Sequence, residues 1–257
     1  MKIATFNANS IRMRMSIILP WLAANRPDVL CIQETKVVDE LFPSMEFESA
    51  GYKCVFKGQK SYNGVAILSL HEPEDVRAGF GEGDLADKTR LISAKIDGIN
   101  VVTAYVPQGY MVGDLKFEYK LDWFKRLRAW FDEHFTPEDP IVWTGDFNVA
   151  IEDIDVYNPA GLQNHVCFHP DVRKALKEVM AWGFVDVFRL HCDKDKEYTF
   201  WDYRAINTLE KNIGWRLDYI MATKTLAAKS VSCVIDRAPR ALPVPSDHTF
   251  VVAEFNI

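Results

Sequence analysis

Short apolar runs recur along this chain, and many of them stop at a polar group of defined chemistry. The clearest is Ile141-Val142-Trp143, which passes through Thr144-Gly145 into Asp146 and Asn148. Alternate residues of an extended chain share a face. Asp146 and Asn148 are therefore expected to point the same way, with Phe147 turned into the core. Gly145 leaves room for another backbone or a ligand. Residues 2–6, 28–32, 52–56, 61–70, 184–188, 198–203, 214–223, 231–235 and 249–255 also read as strands. Residues 91–97 and 99–106 read as a hairpin turning at Asp97-Gly98.

Helical spacing appears in three places. Over 15–25 it places Ile18, Leu19, Trp21 and Leu22 together, with Pro20 marking a kink or a first turn and Pro27 closing the segment. Over 114–135 it aligns Leu115, Tyr119, Leu121, Phe124, Leu127, Trp130 and Phe131. A third helix spans 169–182 and stops at Gly183. A helix or loop lies near 42–50, and 152–167 reads as a long polar loop. KIATFNAN near the start and IVWTGDFN past the middle echo each other, both being apolar runs that end in a polar x-Asn pattern. With no linker in the chain, this fits an α/β single domain over 1–257, with two sheets face to face and helices outside.

Composition narrows the class. Of the 257 residues, 48% are hydrophobic, enough for a substantial core. No run is long enough to span a bilayer, and MKIATFNANS lacks the features of a signal peptide. The five cysteines are scattered and form no CxxC pair. That favours a reducing compartment, the cytoplasm, over a disulfide framework or a thiolate zinc site. A net charge of −6 argues against a broad cationic coat for nucleic acid. It permits a local basic groove, for which Lys36, Arg204 and Arg216 are candidates.

The strand ends carry Asn7, Glu34, Tyr105, Asp146, Asn148 and Asp218, and Asp247-His248 precedes the last strand. The first group sits at C-terminal strand ends and the last pair at an N-terminal start. They converge only if 249–255 runs antiparallel to some of the others, so the site itself demands mixed sheets. Glu34 and Asp247 are hard oxygen ligands, with no His/Cys cluster, which favours Mg²⁺ or Mn²⁺ over zinc. Asp146 suits a water that must lose a proton. His248 suits donation to phosphate, with Asp218 holding its other nitrogen. Asn7, Tyr105 and Asn148 are neutral donors to an oxyanion. Taken singly, each residue also fits an ordinary role: a solvated strand end for Glu34, a turn at Asp247, an arginine partner for Asp218, core packing for Trp215 and Leu217. Together they describe metal-assisted hydrolysis of a phosphoester.

The motifs FNANSIR (6–12), CIQETK (31–36), NGVAI (63–67), YVPQG (105–109), TGDFNVA (144–150), YTFWDYR (198–204), GWRLDYI (214–220) and PSDHTFV (245–251) resemble, in order and spacing, those of the exonuclease III family of apurinic/apyrimidinic endonucleases. The resemblance covers essentially the whole chain. It implies a DNase I-like fold, a four-layer sandwich of two mixed β-sheets with helices outside. It also implies a Mg²⁺-dependent nuclease, with Mn²⁺ as substitute, that acts as a monomer. Its substrates would be duplex DNA with abasic sites or blocked 3′ ends, cut on the 5′ side of an abasic site to leave a 3′-hydroxyl. Carried over by motif, Glu34, Asn7 and Asp247 surround the metal. Asp146, helped by Asn148, handles the attacking water. Asp218 supports His248, and Tyr105 contacts the phosphate. Phe200, Trp215 and Leu217 form the pocket for the base-less sugar. Asn9 stands where some members have an acidic residue, and Arg204 where some insert an apolar one into the helix. With Lys36 these complete the substrate surface. Two rivals remain at this stage: a phosphatase of the wider superfamily acting on lipid or nucleotide, and a damage-binding protein without catalysis.

Overall fold

A computed structural model describes residues 1–81 and 87–257. The chain runs β1 (Lys2–Asn7), α1 (Ile11–Asn25), β2 (Val29–Gln33), α2 (Ser44–Ser49), β3 (Lys53–Lys57), β4 (Val65–Ser69), β5 (Glu74–Ala78), β6 (Leu91–Ile96) and β7 (Ile99–Tyr105). It continues through α3 (Leu115–His134), β8 (Ile141–Asp146), α4 (Pro170–Met180), β9 (Phe184–Asp186), α5 (Val187–His191), β10 (Asp218–Thr223), α6 (Lys224–Ala227), β11 (Ser230–Asp236) and β12 (Phe250–Phe255).

The strands form two six-stranded mixed sheets, ordered β11-β12-β1-β2-β4-β3 and β5-β6-β7-β8-β10-β9. Each has one parallel pair at its centre, β1 with β2 and β7 with β8, and antiparallel neighbours elsewhere. Strand alternation sorts the side chains into layers. Ile3, Val29, Cys31 and Val251 of the first sheet meet Val101, Val142, Ile220 and Ala222 of the second in a dry centre. Phe6, Ile32, Leu68 and Phe250 face outward to Ile18, Trp21 and Leu22 of α1. Trp143, Phe147 and Tyr219 face outward to α3 and α4. Because central strands are buried on both faces, they read as continuous apolar runs rather than strict alternation. The result is the expected four-layer sandwich, and β12 runs antiparallel to β1, as convergence at the site requires.

Several local expectations are corrected. Helix α1 begins at Ile11, so Pro20 lies in its interior rather than in its first turn. Its apolar face is held on the first sheet, where Trp21 stacks on Phe250 at 4.0 Å, and this packing outweighs the lost backbone bond. The buried stripe of α3 is Phe117, Trp123, Phe124, Leu127, Trp130 and Phe131, while Leu115 is 87% exposed. Asp114 is the cap, accepting from Lys116 N at 2.8 Å. Residues 198–203 are not a strand. Phe200 makes isolated bridges to Trp215 and His248 instead. β5 was not expected, because its exposed edge carries no alternation. Arg216 contributes nothing to a basic surface. It is 1% exposed, with Nε 2.8 Å from Asp155 Oδ1 and NH2 2.7 Å from Asp186 Oδ2.

Candidate active site

The two central parallel pairs end side by side, and their ends are built alike. Asn7 closes β1 and Asp146 closes β8. In each, the residue two further on turns back: Asn9 N donates to Asn7 Oδ1 at 2.9 Å, and Asn148 N to Asp146 Oδ1 at 2.8 Å. Asn9 and Asn148 both adopt left-handed φ, 43° and 51°, which Asn tolerates well. The faint sequence echo is thus a repeated Asx turn. It also means that Asp146 and Asn148 share a face through a turn rather than through strand alternation. Asn148 Nδ2 donates to Val106 O at 3.0 Å and to Asp146 Oδ2 at 3.3 Å. Gly145 behaves as expected, since an added Cβ would lie 2.0 Å from Ala104 O on β7.

Alternation points Asn7 and Asp146 inward between the sheets, where they meet. Asn7 Nδ2 donates to Asp146 Oδ2 and to Glu34 Oε1, both at 2.8 Å. Its carbonyl oxygen is taken by Asn9 N, so Asn7 serves the two carboxylates as a donor. Glu34 follows β2 with φ 52°, and Lys36, also at φ 52°, folds back to place Nζ 2.8 Å from Glu34 Oε2. Lys36 also donates to Asn9 Oδ1. The NGVAI motif holds this loop, through Thr35 N to Gly64 O and Lys36 N to Asn63 O.

At the N-terminal side, His248 lies just before β12 and Asp218 opens β10. His248 Nδ1 is 2.8 Å from Asp218 Oδ2, and Nε2 is 3.7 Å from Asp146 Oδ2. Burial lowers the imidazole pKa, but Asp218 and Asp146 raise it more, and the net direction is up. Facing Asp218 on one side and Asp146 on the other, the ring favours its doubly protonated form, a double N–H donor. Burial also raises Asp146, and the nearby charges of Asp218 and Glu34 add to this against the pull of His248. Tyr105 stays a neutral phenol, because burial and then Glu34 and Asp146 push its pKa well up. Asp247 Oδ1 accepts from Asn9 Nδ2 at 2.9 Å.

Two hydroxyls that sequence reading missed set these groups in place. Thr199 Oγ1 accepts from Leu217 N at 3.0 Å and Asp218 N at 3.1 Å. Ser246 Oγ donates to Asn7 O at 2.7 Å and accepts from His248 N at 3.2 Å. A threonine before an aromatic carries no signal of such a role.

All of this opens on a cleft of about 590 Å³. Its lining includes Asn9, Glu34, Lys36, Tyr105, Asp146, Asn148, Asp247 and His248. Phe200, Trp215 and Leu217 form an apolar wall, and Trp215 and Leu217 rest at the same time on the core behind them. Phe200 lies 4.8 Å from His248, and Trp215 lies 4.6 Å from His165, which with Cys167 also lines the cleft. Arg204 stands at the rim, 81% exposed in its side chain and paired with Asp202. A larger groove of about 920 Å³ between α3 and α4 gathers no comparable chemistry.

Ligand atoms of Glu34, Asp146 and His248 lie within 4.8 Å of one another. The carboxylates are the hard donors of this set, while the imidazole nitrogens face Asp218 and Asp146. A small hard dication needs only one or two carboxylates together with water and phosphate oxygens. The set fits such an ion, whose charge would also offset the burial and the neighbouring carboxylates that raise Asp146.

The model of a family described as the endonuclease/exonuclease/phosphatase family matches residues 4–248. An AP endonuclease from Archaeoglobus fulgidus superposes with a TM-score of 0.97 at 49% identity, each chain covered in full. A 3′ phosphatase from Neisseria bound to a product DNA hairpin superposes at 0.94 with 34% identity, again over both whole chains. Exodeoxyribonuclease III of Haemophilus influenzae is 31% identical over 99% of this chain and 100% of its own.

Proposed function

Since the chain belongs to the endonuclease/exonuclease/phosphatase family, and within it to the exonuclease III-like AP endonucleases, we propose that it is a Mg²⁺-dependent DNA repair nuclease. It cuts duplex DNA on the 5′ side of an abasic site and leaves a 3′-hydroxyl. The same centre removes nucleotides and phosphates from blocked 3′ ends, a reading supported by the 3′ phosphatase relative. It works as a monomer, one domain over 1–257, in the cytoplasm. No helix among the described residues is long and apolar enough to cross a membrane.

The observation that carries the proposal is the meeting of Asp146 with the His248–Asp218 pair beside an apolar wall in one cleft. Asp146, uncomfortable as an anion in its buried place, takes a proton from the attacking water. Asn148, hydrogen-bonded to it, fixes its orientation. The His248 imidazolium and the Tyr105 phenol donate to non-bridging phosphate oxygens as charge develops there. Glu34 would hold Mg²⁺ with Asp247 nearby, and the ion would supply charge neutralisation at the phosphate and the leaving oxygen. Asn7 keeps Glu34 and Asp146 in register across the two sheets. Phe200, Trp215 and Leu217 receive the bare deoxyribose, whose missing base lowers the cost of leaving the stack. Lys36, Asn9 and Arg204 line the route of the backbone.

The test is incubation with a duplex bearing one abasic analogue, with Mg²⁺ or with EDTA. A Mg²⁺-dependent product ending in a 3′-hydroxyl on the 5′ side of the lesion is expected. Hydrolysis confined to lipid or nucleotide phosphates, or binding without cleavage, overturns the assignment.

A further inference from the structure

Along α3 the buried face runs through Phe117, Trp123, Phe124, Leu127, Trp130 and Phe131, and one cation sits among them. Lys120 is fully buried at a position where the spacing calls for an apolar side chain. Burying an ammonium is costly unless its donors are met. Here Nζ donates to Gln108 O at 3.1 Å, Asn148 O at 2.7 Å and Val166 O at 3.0 Å. An ammonium has three N–H groups and no acceptor, so three carbonyls satisfy it. A neutral amine would turn a lone pair toward one of them. Burial pulls its pKa below the ordinary lysine value, and Cys167 and Asp146 offset only part of this, so the case for the ammonium is the three-carbonyl geometry.

The three carbonyls belong to three separate segments. Gln108 follows Tyr105 at the end of β7. Asn148 follows Asp146 at the end of β8. Val166 lies between His165 and Cys167. Each segment lines the cleft. Space for the lysine stem is left by Gly109, at φ +95°. A Cβ there would lie 3.1 Å from Lys120 Cδ and 3.1 Å from Val166 Cγ2. Glu34, Asp247 and His248 come from the other sheet, and none of the three bonds reaches them.

We propose that Lys120 is a positioning residue for the hydrolysis. Its ammonium pins the carbonyls of Gln108, Asn148 and Val166, and so fixes Tyr105, the Asp146–Asn148 pair and His165 relative to one another. The inference rests on the nuclease reading for its kinetic arm and on amide exchange for its structural arm.

Lys120→Met keeps the length of the side chain and removes the donors. On abasic duplex, kcat should fall by on the order of 10²-fold, the scale of a small misplacement of reacting groups, with KM little changed. Amide hydrogen exchange should rise together in residues 106–112, 147–151 and 162–168, with β1, β2 and β12 unchanged. Should Lys120→Met fail to fold, Gly109→Ala pushes on the same stem with the charge retained, and it should loosen the same three segments and lower kcat. Unchanged exchange in those segments overturns the proposal. So does an activity loss that only follows the folded fraction, with exchange rising throughout the chain. If the wild type leaves abasic duplex uncut, the nuclease reading fails, and the exchange result alone supports or overturns the pinning role.

Discussion

Replacing Asp155 by Asn tests the support behind the apolar wall of the cleft. The Asp155 carboxylate is fully buried and meets Arg216 Nε at 2.8 Å and NH2 at 3.1 Å, with the Arg189 guanidinium on the same oxygen. Arg216 lies between Trp215 and Leu217, and its own N–H donates to Asp155 O at 2.8 Å. Asn keeps the shape and drops the charge, which leaves Asp186 to balance Arg216 while Arg189 turns toward solvent. Removing one partner of a buried ion pair costs about 3–5 kcal/mol. With Asp186 retained, the lower end applies, about 3 kcal/mol. For chains of this size each kcal/mol lowers the melting temperature by about 2–4 °C, so a fall of about 6–12 °C is expected. Burial alone would raise the Asp155 carboxyl, but Arg216 and Arg189 hold it below its ordinary value. A depressed folded pKa stabilises fully above the unfolded value and loses that contribution as pH falls through the folded one. The gap between wild type and variant should therefore hold from neutrality to about pH 4 and close below it. Urea unfolding followed by tryptophan fluorescence at graded pH measures this. A loss under about 1 kcal/mol, or a gap that is the same in acid as at neutrality, refutes the electrostatic argument.

Other outcomes bear on the centre itself. Glu34→Gln should fold normally and need far more Mg²⁺ for cleavage, and full activity at limiting Mg²⁺ would remove Glu34 from the metal. Asp146→Asn and His248→Ala should each lower kcat by on the order of 10²-fold or more, and a loss under about tenfold for both would exclude them as the reacting pair. Phe200→Ala should narrow the ratio of abasic to intact duplex cleavage at fixed Mg²⁺; an unchanged ratio would shift selection to DNA bending. Affinity for duplex should weaken as salt rises despite the net charge of −6, and a dissociation constant indifferent to salt would count against DNA as substrate.

What the sequence disclosed and what it hid follow one physical division. Polar groups at the ends of apolar runs were legible, because a strand that is buried on both faces tolerates them only where it stops. Asn7, Glu34, Asp146, Asp218 and His248 were found in this way, and the convergence argument gave the mixed sheets. Partnership was not legible. Arg216 looks like a surface cation in a one-dimensional pattern, and the partners of Lys120 cannot be read from its helix, since their counter-charges and carbonyls come from distant segments. Leu115 looked like core because it fits the helical period, yet it sits in the first turn, beyond the sheet that covers the rest of α3. The 198–203 stretch has strand composition but spends its backbone bonds on Trp215, Asp247 and Thr249, which is the work of a connector.

The pairing of β1 with β12 bears on when the protein becomes active during its synthesis. The β5–β10 sheet is contiguous in sequence and can assemble as it emerges. The other sheet is split: β1 waits for an antiparallel partner whose register joins Lys2 to Glu254 and Thr5 to Val251. Until that segment leaves the ribosome, Asp218 has no imidazole beside it and Asn7 has no hydroxyl from Ser246 on its carbonyl. A nascent chain thus carries Glu34 and Asp146 long before it can use them. Competence therefore depends on β12 docking against β1 and bringing His248 with it.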